Sequence, residues 1–193
     1  MRLPARSSGL GLTSALIPAW AVLGCQRVGV TSDMEGRYMA RYYFNVFADY
    51  FMIDLLDDGA DWPEPIVKEE DVSDRVIVSD GVITIMTARN MSVPLLLEIG
   101  ASPPGEAVYS EIETWDHVVE CSIQIKSGRL VIFGNQYYPD CPRVSVEPGT
   151  YEVRIFHGGL TTLSEDELAG NDVYWVVLTP GQPIKKKVIK RFS

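Results

Sequence analysis

At 193 residues, with 46% hydrophobic and 22% charged residues, the chain can bury one core without disulfide or metal staples, and its composition excludes general disorder. The net charge of −9 is uneven: residues 1–33 set Arg2, Arg6 and Arg27 against Asp33 alone, Lys185, Lys186, Lys187, Lys190 and Arg191 crowd the C-terminus, and residues 34–184 stand at −16. Such a body repels nucleic-acid phosphates and anionic membranes and favours a basic protein partner; plain solubility is the other meaning of the same charge.

Residues 1–33 are expected to lie outside the fold as a leader, under two readings. In one, Arg2 and Arg6 precede the apolar run Gly9–Leu23, which ends in Val22-Leu23-Gly24-Cys25 as in a bacterial lipoprotein signal, with Cys25 lipidated and the protein anchored in the cell envelope. The run is broken by Pro18 and too short to span a bilayer. In the other, translation starts near Met34 or Met39 and the protein is cytoplasmic. Both leave 34–193 as a single domain, touching a membrane only through a lipidated Cys25.

Residues 41–53 are dense in aromatic and β-branched side chains and predict one long or broken strand. Asp54 to Asp74 reads as a loop of net −8 that Pro63 and Pro65 keep from regular pairing, with a short helix around 68–74. Asp80-Gly81 predicts a type I′ hairpin between Arg75–Ser79 and Val82–Ala88. Ser92–Ile99, with Leu95, Leu96 and Leu97 in succession, predicts a strand buried on both faces. Glu113–Ile125 and Arg129–Phe133 predict a hairpin turning at Ser127-Gly128. Arg143–Glu147 and Thr150–His157 predict another, through a type II turn at Pro148-Gly149. The alternation of Tyr151, Val153 and Ile155 with Glu152 and Arg154 makes one face buried and the other wet. Strands over Asp172–Leu178 and Ile184–Phe192 close the chain. Nine or ten short strands with almost no helical period predict an all-β antiparallel fold, a sandwich or a barrel, of which the sandwich is the leading expectation.

Chemistry is thinly represented. Trp115-Asp116-His117-Val118-Val119-Glu120 holds a possible polar cluster of Trp115, Asp116, His117 and Glu120. On a strand, however, His117 shares a face with Trp115 and Asp116 points the other way, so the two form no acid–base dyad. A hydrolase using His117 is the least favoured reading. His157 reads as a strand-end residue capping the core. Cys25, Cys121 and Cys141 show no zinc spacing, and a Cys121–Cys141 disulfide would need an oxidising compartment. Asp54–Asp74 lacks the Asp-x-Asp-x-Asp-Gly order of a calcium loop, and no nucleotide-binding loop is present. The sequence therefore implies no catalytic residue, no metal and no cofactor. Asp57, Asp58, Asp61, Glu64, Glu69, Glu70 and Asp71 are the candidate partner-binding residues. The basic tail either folds back onto this acidic surface or binds an acidic partner.

Two stretches, Ser79-Asp-Gly-Val-Ile-Thr-Ile-Met-Thr-Ala-Arg-Asn-Met-Ser-Val-Pro-Leu-Leu-Leu-Glu98 and Arg143-Val-Ser-Val-Glu-Pro-Gly-Thr-Tyr-Glu-Val-Arg154, resemble the competence protein J-like family, small competence-associated proteins that inhibit a nuclease of DNA uptake. Shared features are the Asp-Gly hairpin, the Arg-Asn step into an apolar strand and a Pro-Gly turn before a Tyr-containing strand. The leader, the longer middle around Trp115–Glu120 and the basic tail depart from that pattern. The resemblance implies a β-sandwich that binds and blocks a nuclease, and it supplies no site residue. The leading expectation is a non-catalytic acidic interaction protein, an inhibitor or immunity-like partner of a nuclease or other basic enzyme. The alternative is an envelope lipoprotein whose sandwich binds a small ligand or carbohydrate.

Overall fold

The short alternating segments assemble into two stacked sheets, seen in a computed structural model that describes residues 26–32, 38–61, 66–100, 112–134 and 137–193. In chain order the strands are β1 (Gln26–Ser32), β2 (Tyr38–Phe47), β3 (Met52–Asp57), β4 (Val76–Ser79), β5 (Val82–Met86), β6 (Ser92–Gly100), β7 (His117–Ile125), β8 (Arg129–Phe133), β9 (Arg143–Ser145), β10 (Gly149–Gly158), β11 (Val173–Pro180) and β12 (Lys187–Lys190). Seven form one sheet in the order β1-β2-β6-β11-β10-β7-β12, and five form the other in the order β4-β5-β3-β8-β9. The all-β sandwich expected from the sequence is the observed fold. Its pairing is antiparallel except between β6 and β11, which run parallel.

The long segment 41–53 is broken. A 3-10 turn at Asp49–Phe51 carries the chain from β2 in the large sheet to β3 in the small one. Asp54 to Asp57 complete β3, so the acidic loop begins later than the charge run implies. The helix is short, α1 (Glu69–Asp74), as expected. The boundary drawn after residue 33 needs correcting, because Gln26–Ser32 pairs antiparallel with Tyr38–Tyr43 as an edge strand. Residues 1–25, including Cys25 and the signal-like run, lie outside the described residues.

Three turns differ from expectation. Of Asp80 and Gly81, only Gly81 takes positive φ, 68°, so the β4–β5 turn is not type I′. The segments on either side of Ser127-Gly128 do not pair. β7 bonds to β10 and β12 while β8 bonds to β3 and β9, so the turn is an arch from one sheet to the other. Pro148-Gly149 makes a second such arch, from β9 to β10. Gly149 enters the ladder opposite Ile125 without the positive φ a type II turn requires. Alternating hydrophobicity fixes which face a strand buries, and an arch preserves it as well as a hairpin does.

The inter-sheet core contains Phe44, Ile53, Leu55, Ile83, Leu97, Val153 and Ile155, with Cys121 among them. Burial along Tyr151–Ile155 alternates as the sequence predicts. Two further apolar layers cover the outer faces. Leu56, Val82, Val131 and Cys141 pack beside Tyr138 on the small sheet. Val118, Phe156, Trp175 and Val177 pack beside Leu96 and Trp115 on the large one. Leu96 thus meets this outer layer while Leu95 and Leu97 face the core, which accounts for the unbroken leucine run. Cys121 and Cys141 are both free and belong to different layers.

Candidate functional site

The registers of β3, β4 and β5 separate the candidate acidic residues. Leu56 pairs with Val82 at one end of the small sheet, and Asp57, Asp58 and Asp61 follow from there. Val76 pairs with Ile85 at the other end, and α1 with Glu69, Glu70 and Asp71 precedes it. The charge run is contiguous in sequence but sits at two ends of the sandwich. Glu64 lies outside the described residues.

At the first end, Asp57, Asp58, Asp61, Asp80, Lys126 and Ser127 line an open cleft of about 580 Å³. Asp57 is buried and fully committed: Oδ2 accepts from Lys126 N at 2.9 Å, and Oδ1 accepts from Ser127 N at 2.9 Å and Ser127 Oγ at 2.5 Å. Asp58 lies under Arg129 (2.9 Å) and Arg143 (3.3 Å) and accepts from the Tyr138 hydroxyl at 2.9 Å. Partial burial alone would raise the Asp58 pKa, but Tyr138, Arg129 and Arg143 together hold it below the ordinary carboxylate value. Asp61 and Asp80 are exposed, with Lys126 Nζ at 3.4 Å from Asp80. The cleft thus has a neutralised floor and an acidic rim. The sequence placed Asp80 only in a turn; its proximity to Asp57 depends on Asp57 N donating to Gly81 O at 2.8 Å.

At the other end, α1 divides its charges. Glu69 and Glu70 are exposed, whereas Asp71 and Asp74 face the C-terminal tail. Lys186 Nζ lies 2.8 Å from Asp71 and 3.1 Å from Asp74, and Arg191 lies 2.7 Å from Asp74. The tail folds back onto acidic surface. Burial opposes ionisation of Asp71 and Asp74, but these cations outweigh it and lower both pKa values. Beside α1, Tyr50, Phe51, Val67, Val72 and Arg75 line an open apolar groove of about 360 Å³. Tyr50 and Phe51 both take positive φ, 50° and 63°, which is strained for bulky L-residues.

The residues around His117 do not form one cluster. The chain bends at Trp115 and Asp116, and the ladder starts at His117, so strand alternation does not reach Trp115. Trp115 instead turns to the outer layer, its ring centroid 5.4 Å from Phe156 and 5.6 Å from Trp175. Asp116 accepts from Leu160 N at 2.7 Å, and Glu120 pairs with Arg154. His117 is buried between two backbone groups: its Nε2 lies 2.8 Å from Asp74 O, and its Nδ1 lies 3.1 Å from Phe192 N. This places the proton on Nε2, with Nδ1 accepting. His157 is fully buried, with its ring edge-on to His117 at 5.2 Å and to Tyr174 at 5.4 Å. Neither of its nitrogens has a hydrogen-bond partner among the described residues.

Burial depresses both histidine pKa values, and for His157 the neighbouring His117 and Arg75 add to it. The unfolded chain therefore takes up protons near pH 6.5 that the folded chain refuses, so stability should fall as the pH drops below about 7, by about 1.4 kcal/mol per pKa unit of depression. Asp54 works in the opposite direction. Burial, only partly offset by the Thr84 hydroxyl, raises it to about 6, so below that pH the folded state binds a proton the unfolded state does not. In thermal melts between pH 7 and 5, His157→Phe should flatten the loss on acidification, and Asp54→Asn should steepen it. Coincident slopes for wild type and His157→Phe would show that His157 is not the neutral buried group.

Burial also pushes the Cys121 thiol up to about 12, which suits a core residue and not a nucleophile. Among the described residues, no three His, Cys, Asp or Glu side chains gather as metal ligands, and no helix is long and apolar enough to cross a membrane.

No protein-family model matches the sequence. No curated protein matches it either. Among solved structures, the chain is similar to ComJ, inhibitor of the DNA degrading activity of NucA, from Bacillus subtilis, with a TM-score of 0.53 and 12% identity over 73% of this chain and 95% of that one. A second similar structure is that of crocagin biosynthetic gene J, with a TM-score of 0.48 and 17% identity over 76% of this chain and 99% of that one. At such identity the likeness to ComJ is one of fold.

Proposed function

We propose that the chain is a non-catalytic sandwich that binds a basic protein, a nuclease in the first instance, and blocks the groove with which that enzyme holds DNA. The observation that carries this reading is the cleft at the first end of the sandwich. Asp61 and Asp80 stand exposed on its rim, while Asp57 and Asp58 beneath are held by internal partners. The rim can therefore lose solvent to a partner's cations without dismantling the fold. A carboxylate rim matches a groove built for phosphate, and such complementarity acts on association rate and partner choice. The fold held in common with ComJ supports the same class of role. The non-catalytic part of the reading is supported by His117 and His157: one is occupied by backbone groups, the other is sealed in the core.

The test is capture on immobilised protein, comparing wild type with Asp61→Asn/Asp80→Asn from low salt to about 0.5 M, where screening is nearly complete. A DNA-degradation assay of the captured fraction follows, with and without added protein. The expected result is a basic protein whose DNA-degrading activity is suppressed, with capture weakened by salt and by the double substitution, and the melting curve unchanged. Capture indifferent to both, or captured nuclease activity left intact, would refute the proposal.

A further inference from the structure

We infer that the edge of β7 covered by the tail strand β12, together with the Asp71–Asp74 face of α1, is a docking site for a basic, extended segment of a partner protein, and that the chain's own tail is its resident occupant. The inference rests on the proposal that the partner is basic, and it adds a second point of engagement, at the opposite end of the sandwich from the Asp61–Asp80 rim, and the form the partner takes there.

The tail shows what the site recognises. Its backbone adds an antiparallel strand to β7, with Lys187 opposite Glu120 and Val188 opposite Val119, and the register then slips before Lys190. Lys186 bridges Asp71 and Asp74 and donates to Val76 O at 3.1 Å. Arg191 reaches Asp74 and donates to Ser73 O at 2.8 Å. Val188 packs against the inter-sheet core and Ile189 against the outer layer. Phe192 donates its N–H to His117, and its ring lies under Arg75 at 5.5 Å. The ligand is thus an extended stretch with a cation at each end and two apolar side chains between.

The tail is also the outermost strand of its sheet. No residue from Gly181 to Ser193 is buried, whereas Tyr174 through Thr179 in β11 all are. Arg191 is half exposed, and a half-exposed ion pair contributes little; a short, irregular edge strand belongs to the least stable part of a fold. A sheet edge uncovered when such a strand detaches accepts another in its place, by addition of a strand from the partner. Lys186 and Arg191 therefore neutralise Asp71 and Asp74 in the free protein, and they compete with any partner for the same two carboxylates.

Two measurements need no nuclease, so their failure is separable from failure of the proposed function. In the unaltered protein, amide hydrogen exchange at Val188, Lys190 and Phe192 should be at least about 100-fold faster than at Ile155 or Val176, reporting local opening. In the full chain carrying Lys186→Gln/Arg191→Gln, a fluorescent synthetic peptide of residues 184–193 should bind about tenfold more tightly than to wild type. Its affinity should fall with salt and be lost when Val188 and Ile189 of the peptide are replaced by Ser. Tail amides as protected as the core, a variant that no longer melts cooperatively, or a folded variant that binds the peptide no better than wild type would each make the tail a structural strand and end the inference. A concentration-dependent dimer exchanging tails would assign the site to a second copy of this chain and overturn the partner it names.

Discussion

Arg89→Met should lower stability by roughly 3–5 kcal/mol, the cost of stranding a buried charge. Asp172 is completely buried, and Arg89 Nε meets its Oδ1 at 2.5 Å with only 11% of the arginine side chain exposed. The other carboxylate oxygen accepts from the Tyr174 hydroxyl at 3.0 Å, and that hydroxyl accepts from Ala88 N at 2.6 Å. Burial first, and then the Asp172 charge, push the tyrosine far above its ordinary pKa, so it stays a donor at any working pH. Arg89 also donates to Leu168 O at 3.3 Å, tying the loop before β11 to the loop before β6. Removing the guanidinium leaves a carboxylate with one neutral donor and no cation. Adding Asp172→Leu should recover a large part of the loss, because replacing both partners of a buried pair costs far less than replacing one. Urea unfolding of the single and double variants checks this. A loss below about 1 kcal/mol for Arg89→Met would mean that water reaches the carboxylate.

Arg89 shows how much of this molecule was legible in its sequence. The step Arg89-Asn90 was visible as part of a family-like pattern, but its partner lies 83 residues away, and no local rule pairs them. What was legible is what local periodicity controls. Val153 and Ile155 face inward because strand side chains alternate, and α1 forms in the stretch expected of it. The arches at Ser127-Gly128 and Pro148-Gly149 were not, because Gly and Pro mark a reversal of direction without saying whether the next strand rejoins its own sheet. The acidic run was misleading in a similar way. Sequence counts charges, but burial divides them: Asp54 faces Thr84 within the small sheet, Asp57 holds an arch, Asp71 receives a lysine from 115 residues downstream, and only Asp61, Glu69 and Glu70 of the named candidates within the described residues stand exposed. The partners of His117, at the ends of α1 and of the tail, are backbone groups that sequence pattern does not display.

Asp57→Ala should cost roughly 2–4 kcal/mol, since it leaves two backbone N–H groups at the first arch without an acceptor, each worth about 1–3 kcal/mol when poorly solvated. The carboxylate receives Lys126 N on one oxygen and Ser127 N with the Ser127 hydroxyl on the other, so both oxygens are needed to hold the crossing from β7 to β8. Gly128 follows at φ 75°, a conformation that the held arch must support. Asp57→Asn keeps one acceptor oxygen and should lose about half as much; equal losses for Ala and Asn would point to the charge, not the geometry, as what the arch requires. The same residue separates the two uses of acid at this end of the sandwich. Asp57 sits below the rim and should affect melting far more than partner capture, measured well below the variant's melting temperature. Asp61 and Asp80, exposed above it, should affect capture and leave melting alone. If Asp57→Asn, still folded, abolished capture while Asp61→Asn/Asp80→Asn did not, the docking surface would be the arch itself. The exposed rim would then be only a solvated edge.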